Sequence, residues 1–301
     1  MPPRIGIALG GGGARGLAHV GILKVFEEEN IPIHCISGSS IGAVVGAMYA
    51  QRPDAKALIQ RFKTTLDEDY YKQLGFDYLR KNGKNDGSFL GHATQSIKRR
   101  IVINLAQNRN ALLKEARLLE VLSRLIDPGH IEDTEIPLTV VSTSLVSGNH
   151  VVYGTGEIIP AVAASCSIPG FFPPLERDGD LLTDGGISCP VPVQFLPGMG
   201  ANFTIAVEIC MRKLPPFESP NVIEIISRAD MITSRNLSEM MARTADIAIF
   251  PDTKDVHWSE FSRCEELIEE GIQSARQTLP EIRKALRKKR PWFKRYLGSK
   301  R

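Results

Sequence analysis

The chain has 301 residues, 43% apolar and 24% charged, enough for one large or two small domains around an ordinary core. Its net charge of +3 conceals a split: Arg283 to Arg301 hold ten Lys/Arg and no acid, leaving a body of 27 basic and 34 acidic residues. No apolar run reaches the ~20 residues of a spanning helix, the start is too short and glycine-broken for a signal peptide, and five scattered cysteines form no C-x-x-C pair, so a membrane span, a disulfide framework and a zinc site are excluded and the chain reads as cytoplasmic, without metal or cofactor.

Arg4 to Leu9 predicts a short buried strand that Gly10 to Gly13 cannot continue. Leu17 to Glu29 predicts a helix packed on a sheet, Ile33 to Ser37 a second strand, and Ile41 to Ala50 a Gly/Ala-rich helix that can lie close to its neighbours. This β–α–β–α start points to a parallel sheet with helices on its faces. Residues 54–130 carry no strand pattern and read as a helical insertion or cap, with an amphipathic helix over Ala116 to Ile126. Strands return at Ile136 to Val146 and, after a Gly-Asn turn, at "HVVYG". Ile158 to Ser165 reads as a small-residue helix, and "IPGFFPPLE" as a connector stiffened by three prolines. "LERDGDLLTDGG" reads as a hairpin turned at Asp178-Gly179. Thr204 to Cys210 and Ile247 to Phe250 read as strands on either side of a helix around Val222 to Arg243. From Ile268 to Leu286 apolar residues recur every three or four positions, with Pro280 placed to start a new helix. No repeat or linker interrupts the body, which implies one domain over 1–282 and a basic tail over 283–301.

Two glycine-rich turns stand out. The first, "ALGGGGARGLAHVG", sets Gly11, Gly13 and Gly16 between strand and helix, the context of a dinucleotide fingerprint. That fingerprint wants an acid near the end of the second strand, and "HCISGSS" has none; a P-loop would need Gly-Lys-Ser/Thr. Successive glycine N–H groups at a helix start can also converge on negative charge, as an oxyanion hole requires, and the bland reading is a turn that lets helix and strand pack closely. Arg15 is placed to brace the loop or to meet a phosphate. The second turn, Gly38-Ser39-Ser40-Ile41-Gly42, fits G-x-S-x-G, a pentapeptide that chance yields about 0.15 times per chain of this composition. Strand, G-x-S-x-G, helix is the layout of a nucleophile elbow, with Ser40 at the helix N-terminus. The competing reading makes Ser40 a helix cap, and Ser37 and Ser39 are capping candidates too.

A serine nucleophile needs a base. Ser40, Asp184, His257 follow the α/β-hydrolase order, but in that fold several strands precede the elbow, and "DTKDVHWSEF" around His257 looks like charged surface. Here the chain resembles the bacterial patatin-like phospholipases. The motifs that carry the resemblance are "GGGGARG" (Gly10 to Gly16), "GSSIG" (Gly38 to Gly42) and "DGG" (Asp184 to Gly186), together with the connector "SIPGFFPP" (Ser167 to Pro174). The match spans roughly residues 4–250 in order and spacing.

The resemblance implies a three-layer α/β/α sandwich with a mostly parallel central sheet. It implies a Ser–Asp dyad without histidine: Ser40 as nucleophile, Asp184 as base, and backbone oxyanion donors around Gly11, Gly12 and Gly13. Gly10, Arg15, Gly16, Gly38, Gly42, Gly185 and Gly186 support those motifs. An ordinary aspartate is a weak base for a hydroxyl, so Asp184 needs desolvation and a short direct hydrogen bond to Ser40; the competing reading is that Asp184-Gly185 is only a turn. The implied partner is a lipid or other acyl ester. The basic, aromatic tail suits an anionic membrane surface at the inner face of the membrane, or simply a solvated chain end; no nucleic-acid module is present. The alternative is a non-enzymatic regulatory or lipid-binding protein that keeps the fold.

Overall fold

The computed structural model describes residues 3–66, 111–211, 214, 217, 221–254 and 256–289. Its centre is an eight-stranded sheet. Strands β1 (Ile5–Leu9), β2 (Ile33–Ser39), β3 (Leu138–Ser144), β7 (Phe203–Val207) and β8 (Ile247–Ile249) run parallel, in the spatial order β8-β7-β1-β2-β3. Buried on both faces, β1, β3 and β7 are continuous runs of small and apolar residues, as parallel strands covered on both sides must be. The antiparallel part lies beyond β3: β4 (His150–Tyr153) pairs with it, and so does β6 (Asp180–Asp184), which carries β5 (Leu175–Arg177). The β5–β6 hairpin turns at Asp178 and Gly179, both with positive φ, the geometry of a type I′ turn.

One face of the sheet is covered by α1 (Leu17–Glu28), α2 (Ile41–Gln51), α5 (Ile158–Ser165) and α7 (Cys264–Lys289), with α3 (Ala55–Thr65) and α4 (Glu115–Leu125) packed around them. Asp54 caps α3 by accepting from the Ala57 N–H at 3.0 Å. The other face is thinner. It is covered by irregular chain carrying Val191, Val193, Leu196 and Ala201, and by the end of α6 (Val222–Ala242). The architecture is therefore the expected α/β/α arrangement with a mostly parallel sheet, its third layer reduced largely to loop.

Two expectations change. Pro280 does not start a helix, because α7 runs through it. Pro280 lacks the N–H that would bond the Arg276 carbonyl, but both residues face solvent, while Ala275, Leu279 and Ile282 keep the buried side packed. The expected tail also begins inside this helix: Arg283 is ion-paired with Glu29, and residues 290–301 lie outside the described ones. Of the expected insertion over 54–130, α3 and α4 are helical and 67–110 lie outside the described residues. Among the described residues no helix is long and apolar enough to cross a membrane.

Candidate active site

The parallel strands all end on one edge of the sheet, and the two sequence-distant motifs meet there. Their meeting follows from how β3 is shared. Its one edge pairs with β4 over Val140 to Thr143. Its other edge pairs first with β2, up to Ser39 opposite Val141, and then with β6, from Asp184 opposite Ser142. Strands β2 and β6 thus abut end to end along a single edge, and Ser40 and Asp184 stand at the joint.

Ser40 leaves β2 in a sharp turn with φ 53° and ψ −127°, a conformation that non-glycine residues rarely hold and that the surroundings must impose. Its N–H donates to Ser165 Oγ at 2.8 Å, and Ser165 in turn donates to the Val141 carbonyl at 2.6 Å. The turn demands small neighbours: a Cβ on Gly42 would lie 2.0 Å from the Leu9 carbonyl oxygen, and one on Gly38 2.5 Å from that of Gly42. Ser40 occupies the cap position of α2, but its side chain caps nothing. Ser40 Oγ donates to Asp184 Oδ2 at 2.6 Å. The capping readings of Ser37 and Ser39 fall as well: Ser37 donates to the Pro192 carbonyl, and Ser39 Oγ is buried without a partner.

Asp184 ends β6, and its second oxygen, Oδ1, accepts from the Gly186 N–H at 2.7 Å, across the single turn of Gly185–Ile187. Gly185 packs where a Cβ would meet the Val141 carbonyl at 2.1 Å. The Asp184 backbone is held from two sides, its N–H donating to the Ser167 carbonyl and its own carbonyl accepting from Thr143 Oγ1. Burial pushes its carboxyl up to about 6, outweighing the hydrogen bonds from Ser40 and Gly186 that favour the charged form. Burial also raises the thiol of Cys166, beside this carboxylate.

The glycine loop lies against the elbow; a Cβ on Gly11 would be 3.2 Å from Ser40 Cβ. Its donors are unequally available. The Gly10 N–H is held by the Val207 carbonyl and the Gly11 N–H by the Pro190 carbonyl, both at 3.0 Å, which removes Gly11 from the expected donor set. Ala14 donates to the Trp258 carbonyl at 2.6 Å. Among the described residues nothing accepts from the N–H of Gly12 or Gly13. Gly13 has φ 60° and no room for a side chain, a Cβ there falling 2.2 Å from the Trp258 carbonyl oxygen. Gly16 packs directly on Ile41. Arg15 is a brace: buried, it donates from Nε to the Gly12 carbonyl at 3.1 Å, and its pKa is lowered by desolvation against the opposing pull of Cys210 and Glu208. His19, which the sequence did not single out, is fully buried and donates from Nε2 to the Gly10 carbonyl at 2.8 Å; burial lowers its pKa to about 4, so it stays neutral.

A cavity of about 100 Å³ opens beside Ser40. Its walls are apolar: Ile41 and Val44 from α2, Phe62 from α3, Leu118 and Leu122 from α4, with Phe172, Trp258 and Phe261. His257 is half-buried rather than on the charged surface expected, and burial lowers its pKa. Its Nδ1 lies 2.8 Å from Ser259 Oγ. The Asp184 carboxylate accepts from Gly186 and Ser40, and among the described residues no histidine contacts it. Among the described residues no cluster of three His, Cys, Asp or Glu is placed to hold a metal ion. Ser165, His19 and the cavity wall were missed because a small buried serine, a core histidine and leucines at helical spacing look in sequence like ordinary packing.

The family profile described as patatin-like phospholipase matches residues 7–196. An uncharacterized NTE family protein of Mycobacterium tuberculosis is 32% identical over 248 residues, which is 80% of this chain and 60% of that protein. Patatin-like phospholipase domain-containing protein 6 of Homo sapiens is 30% identical over 207 residues, 68% of this chain and 13% of the human protein. The chain thus spans about 60% of the length of its mycobacterial relative and a far smaller share of the human one. Among solved structures, human GIVD cytosolic phospholipase A2 aligns with 95% of this chain and 59% of its own, at a TM-score of 0.46 and 14% identity. VipD from Legionella pneumophila aligns with 93% and 67%, at a TM-score of 0.44 and 17% identity.

Proposed function

The chain belongs to the patatin-like phospholipase family, and on that premise we propose that it is a serine hydrolase that cleaves the acyl esters of lipids through an acyl-Ser40 intermediate. Asp184 takes the hydroxyl proton as Ser40 Oγ attacks the ester carbonyl, and the carbonyl oxygen becomes an oxyanion. Collapse of that adduct expels the alcohol, which receives the proton from Asp184. Water, deprotonated by the same carboxylate, then attacks the acyl-serine and releases the fatty acid, returning the proton to Ser40. The observation that carries this reading is the 2.6 Å hydrogen bond from Ser40 to a buried Asp184 whose carboxyl sits at about 6, close to the range a general base needs near neutral pH.

The oxyanion donors in this reading are the N–H groups of Gly12 and Gly13, with the α2 N-terminus adding a favourable dipole. His19 and Arg15 hold the loop's carbonyls, so its N–H groups stay aimed outward. The cavity takes the acyl chain, since the surface it presents is almost wholly apolar, with Arg117 the one charged residue among its lining. Residues 1–282 form the catalytic domain in this proposal, 54–130 its cap, and the basic stretch 283–301 a peripheral contact with the inner face of the membrane. Intact chemistry at both halves of the pair speaks against a lipid-binding protein without activity.

A fluorophosphonate probe tests the proposal directly. It should label Ser40 in the wild type and fail in Ser40→Ala, and a panel of acyl esters and phospholipids should lose turnover in the same variant. Absence of labelling, or hydrolysis that survives Ser40→Ala, would overturn it.

A further inference from the structure

We propose that Trp258 is a positioning residue through which an acyl chain in the cavity holds the oxyanion donors in place, so that chain length is read in kcat as well as in KM. This rests on reading the site as a lipid acyl hydrolase. Three contacts of one residue carry it. The Trp258 side chain forms part of the apolar wall beside Ser40. Its carbonyl accepts the Ala14 N–H at 2.6 Å and so ties down the end of the glycine loop. Its ring meets Phe171 edge-on, with centroids 4.6 Å apart and planes at 65°. Phe171 lies in the connector that starts at Ser167, whose carbonyl holds the Asp184 N–H.

The glycine loop has no side chains to fix its backbone between Gly10 and Gly13, so its donors must be fixed from outside. Gly10 and Gly11 are fixed by the carbonyls of Val207 and Pro190. At Gly13 and Ala14 that task falls to Trp258. A Cβ on Gly13 would lie 2.2 Å from the Trp258 carbonyl oxygen and 3.1 Å from Trp258 Cβ, so Gly13 packs on both the peptide and the root of the side chain. Trp258 is also placed to move. It lies in a turn closed by the Glu260 N–H donating to the His257 carbonyl at 2.9 Å. The Trp258 carbonyl belongs to the central peptide of that turn, which takes no part in closing it and can tilt while the ends stay put. Val256 and Ser259 are buried around it, whereas Trp258 is half-buried. A long acyl chain packs on the ring and limits the tilt; a short one leaves the ring unsupported. Binding energy spent on holding the donors raises kcat, whereas binding that leaves the reacting groups unchanged only lowers KM.

The full chain is assayed on the p-nitrophenyl esters of butanoic and decanoic acid. From the shorter to the longer ester, wild-type kcat should rise about fivefold or more. In Trp258→Ala that ratio should fall to about one, and Trp258→Phe, which keeps a ring against Phe171, should restore most of it. Leu122→Ala, in the α4 wall of the same cavity, should raise KM for the decanoyl ester and keep the kcat ratio. Replacing the second of the chain's two tryptophans, Trp292→Phe, leaves Trp258 as the reporter. In that variant a decyl fluorophosphonate should shift the emission to the blue and an ethyl one should not. A wild-type kcat that is flat with chain length, a ratio that survives Trp258→Ala, a ratio lost equally in Leu122→Ala, or an emission blind to the decyl chain would overturn the proposal. If Trp258→Ala fails to fold, the wild-type ratio, Leu122→Ala and the emission still decide it. A wild type with neither ester turnover nor fluorophosphonate label would sink the hydrolase reading, and this proposal with it.

Discussion

The elbow that presents Ser40 and the hairpin that presents Asp184 face each other across 2.6 Å, yet they are difficult structures for different reasons. At the elbow the difficulty is steric: a side-chain-bearing residue sits at φ 53°, ψ −127°, in a turn whose neighbours allow no Cβ at positions 38 and 42. The hairpin end is relaxed in its backbone, with φ −50° and ψ 133° at Asp184, but it holds a carboxylate out of water. Steric strain does not depend on pH and electrostatic strain does, so the two halves can be separated by experiment.

The largest expected effect is on turnover. Asp184→Asn should lower kcat/KM by about 10³-fold or more, the scale of a lost general base acting on a nucleophile, measured with a soluble ester. Next comes Ser165→Ala, which frees the Ser40 N–H. We expect kcat to fall about tenfold with KM unchanged, and Ser165→Thr to restore most of it, which a mere loss of packing would not show. The pH profile follows from the raised carboxyl: in the proposed mechanism Asp184 works deprotonated, so kcat/KM should drop about tenfold per pH unit below about 6 and level off above it. A flat profile down to pH 4.5 would mean that another group is the base.

Stability gives a smaller and more discriminating readout. The folded Asp184 holds its proton more tightly than the unfolded one, so its charge destabilises the fold above about 6 and has no such effect below the ordinary value of 3.8. Asp184→Asn should therefore stabilise the protein by ~1–2 kcal/mol at pH 8, with the gain vanishing near pH 4. In that background Ser40→Gly should change stability by the same amount, no more than ~1 kcal/mol, at every pH, because it relieves backbone strain and removes the hydroxyl's hydrogen bond to a side chain that no longer titrates. Urea unfolding at pH 8 and pH 4 checks both; a pH-dependent gain from Ser40→Gly would break the distinction. The smallest effect belongs to His257→Ala, expected to leave kcat/KM within about twofold, since its ring nitrogen is turned to Ser259. A collapse of activity in a folded His257→Ala would restore the triad reading.

The same comparison explains what the sequence made legible. The elbow and the glycine loop are local: strand, glycines and helix occur within a dozen residues, and Gly38 is demanded by Gly42 and Ala43 within that stretch, although Gly42 is demanded by the Leu9 carbonyl of β1. Helix spans such as Ile158–Ser165 were readable for the same reason. The juxtaposition of Ser40 with Asp184 is not local. It depends on β2 and β6 sharing an edge of β3, a register that no periodicity encodes; only the resemblance pointed to it. The division of labour within the glycine loop was hidden because the carbonyls that occupy Gly10 and Gly11 come from Val207 and Pro190, far along the chain. Pro280 misled because a proline's effect depends on which side of the helix faces water.

Ser165 and Ser167 are two residues apart at the end of α5. The hydroxyl of the first holds the Ser40 N–H, and the carbonyl of the second holds the Asp184 N–H. Ser40 and Asp184, the proposed nucleophile and base, thus hang from one short bracket rather than from two independent supports. Whatever shifts that bracket shifts both side chains together, and the common displacement cancels in their difference. The gap between Oγ and the carboxylate should consequently vary less than the position of either atom, as the reading of a caliper is indifferent to where the instrument is held.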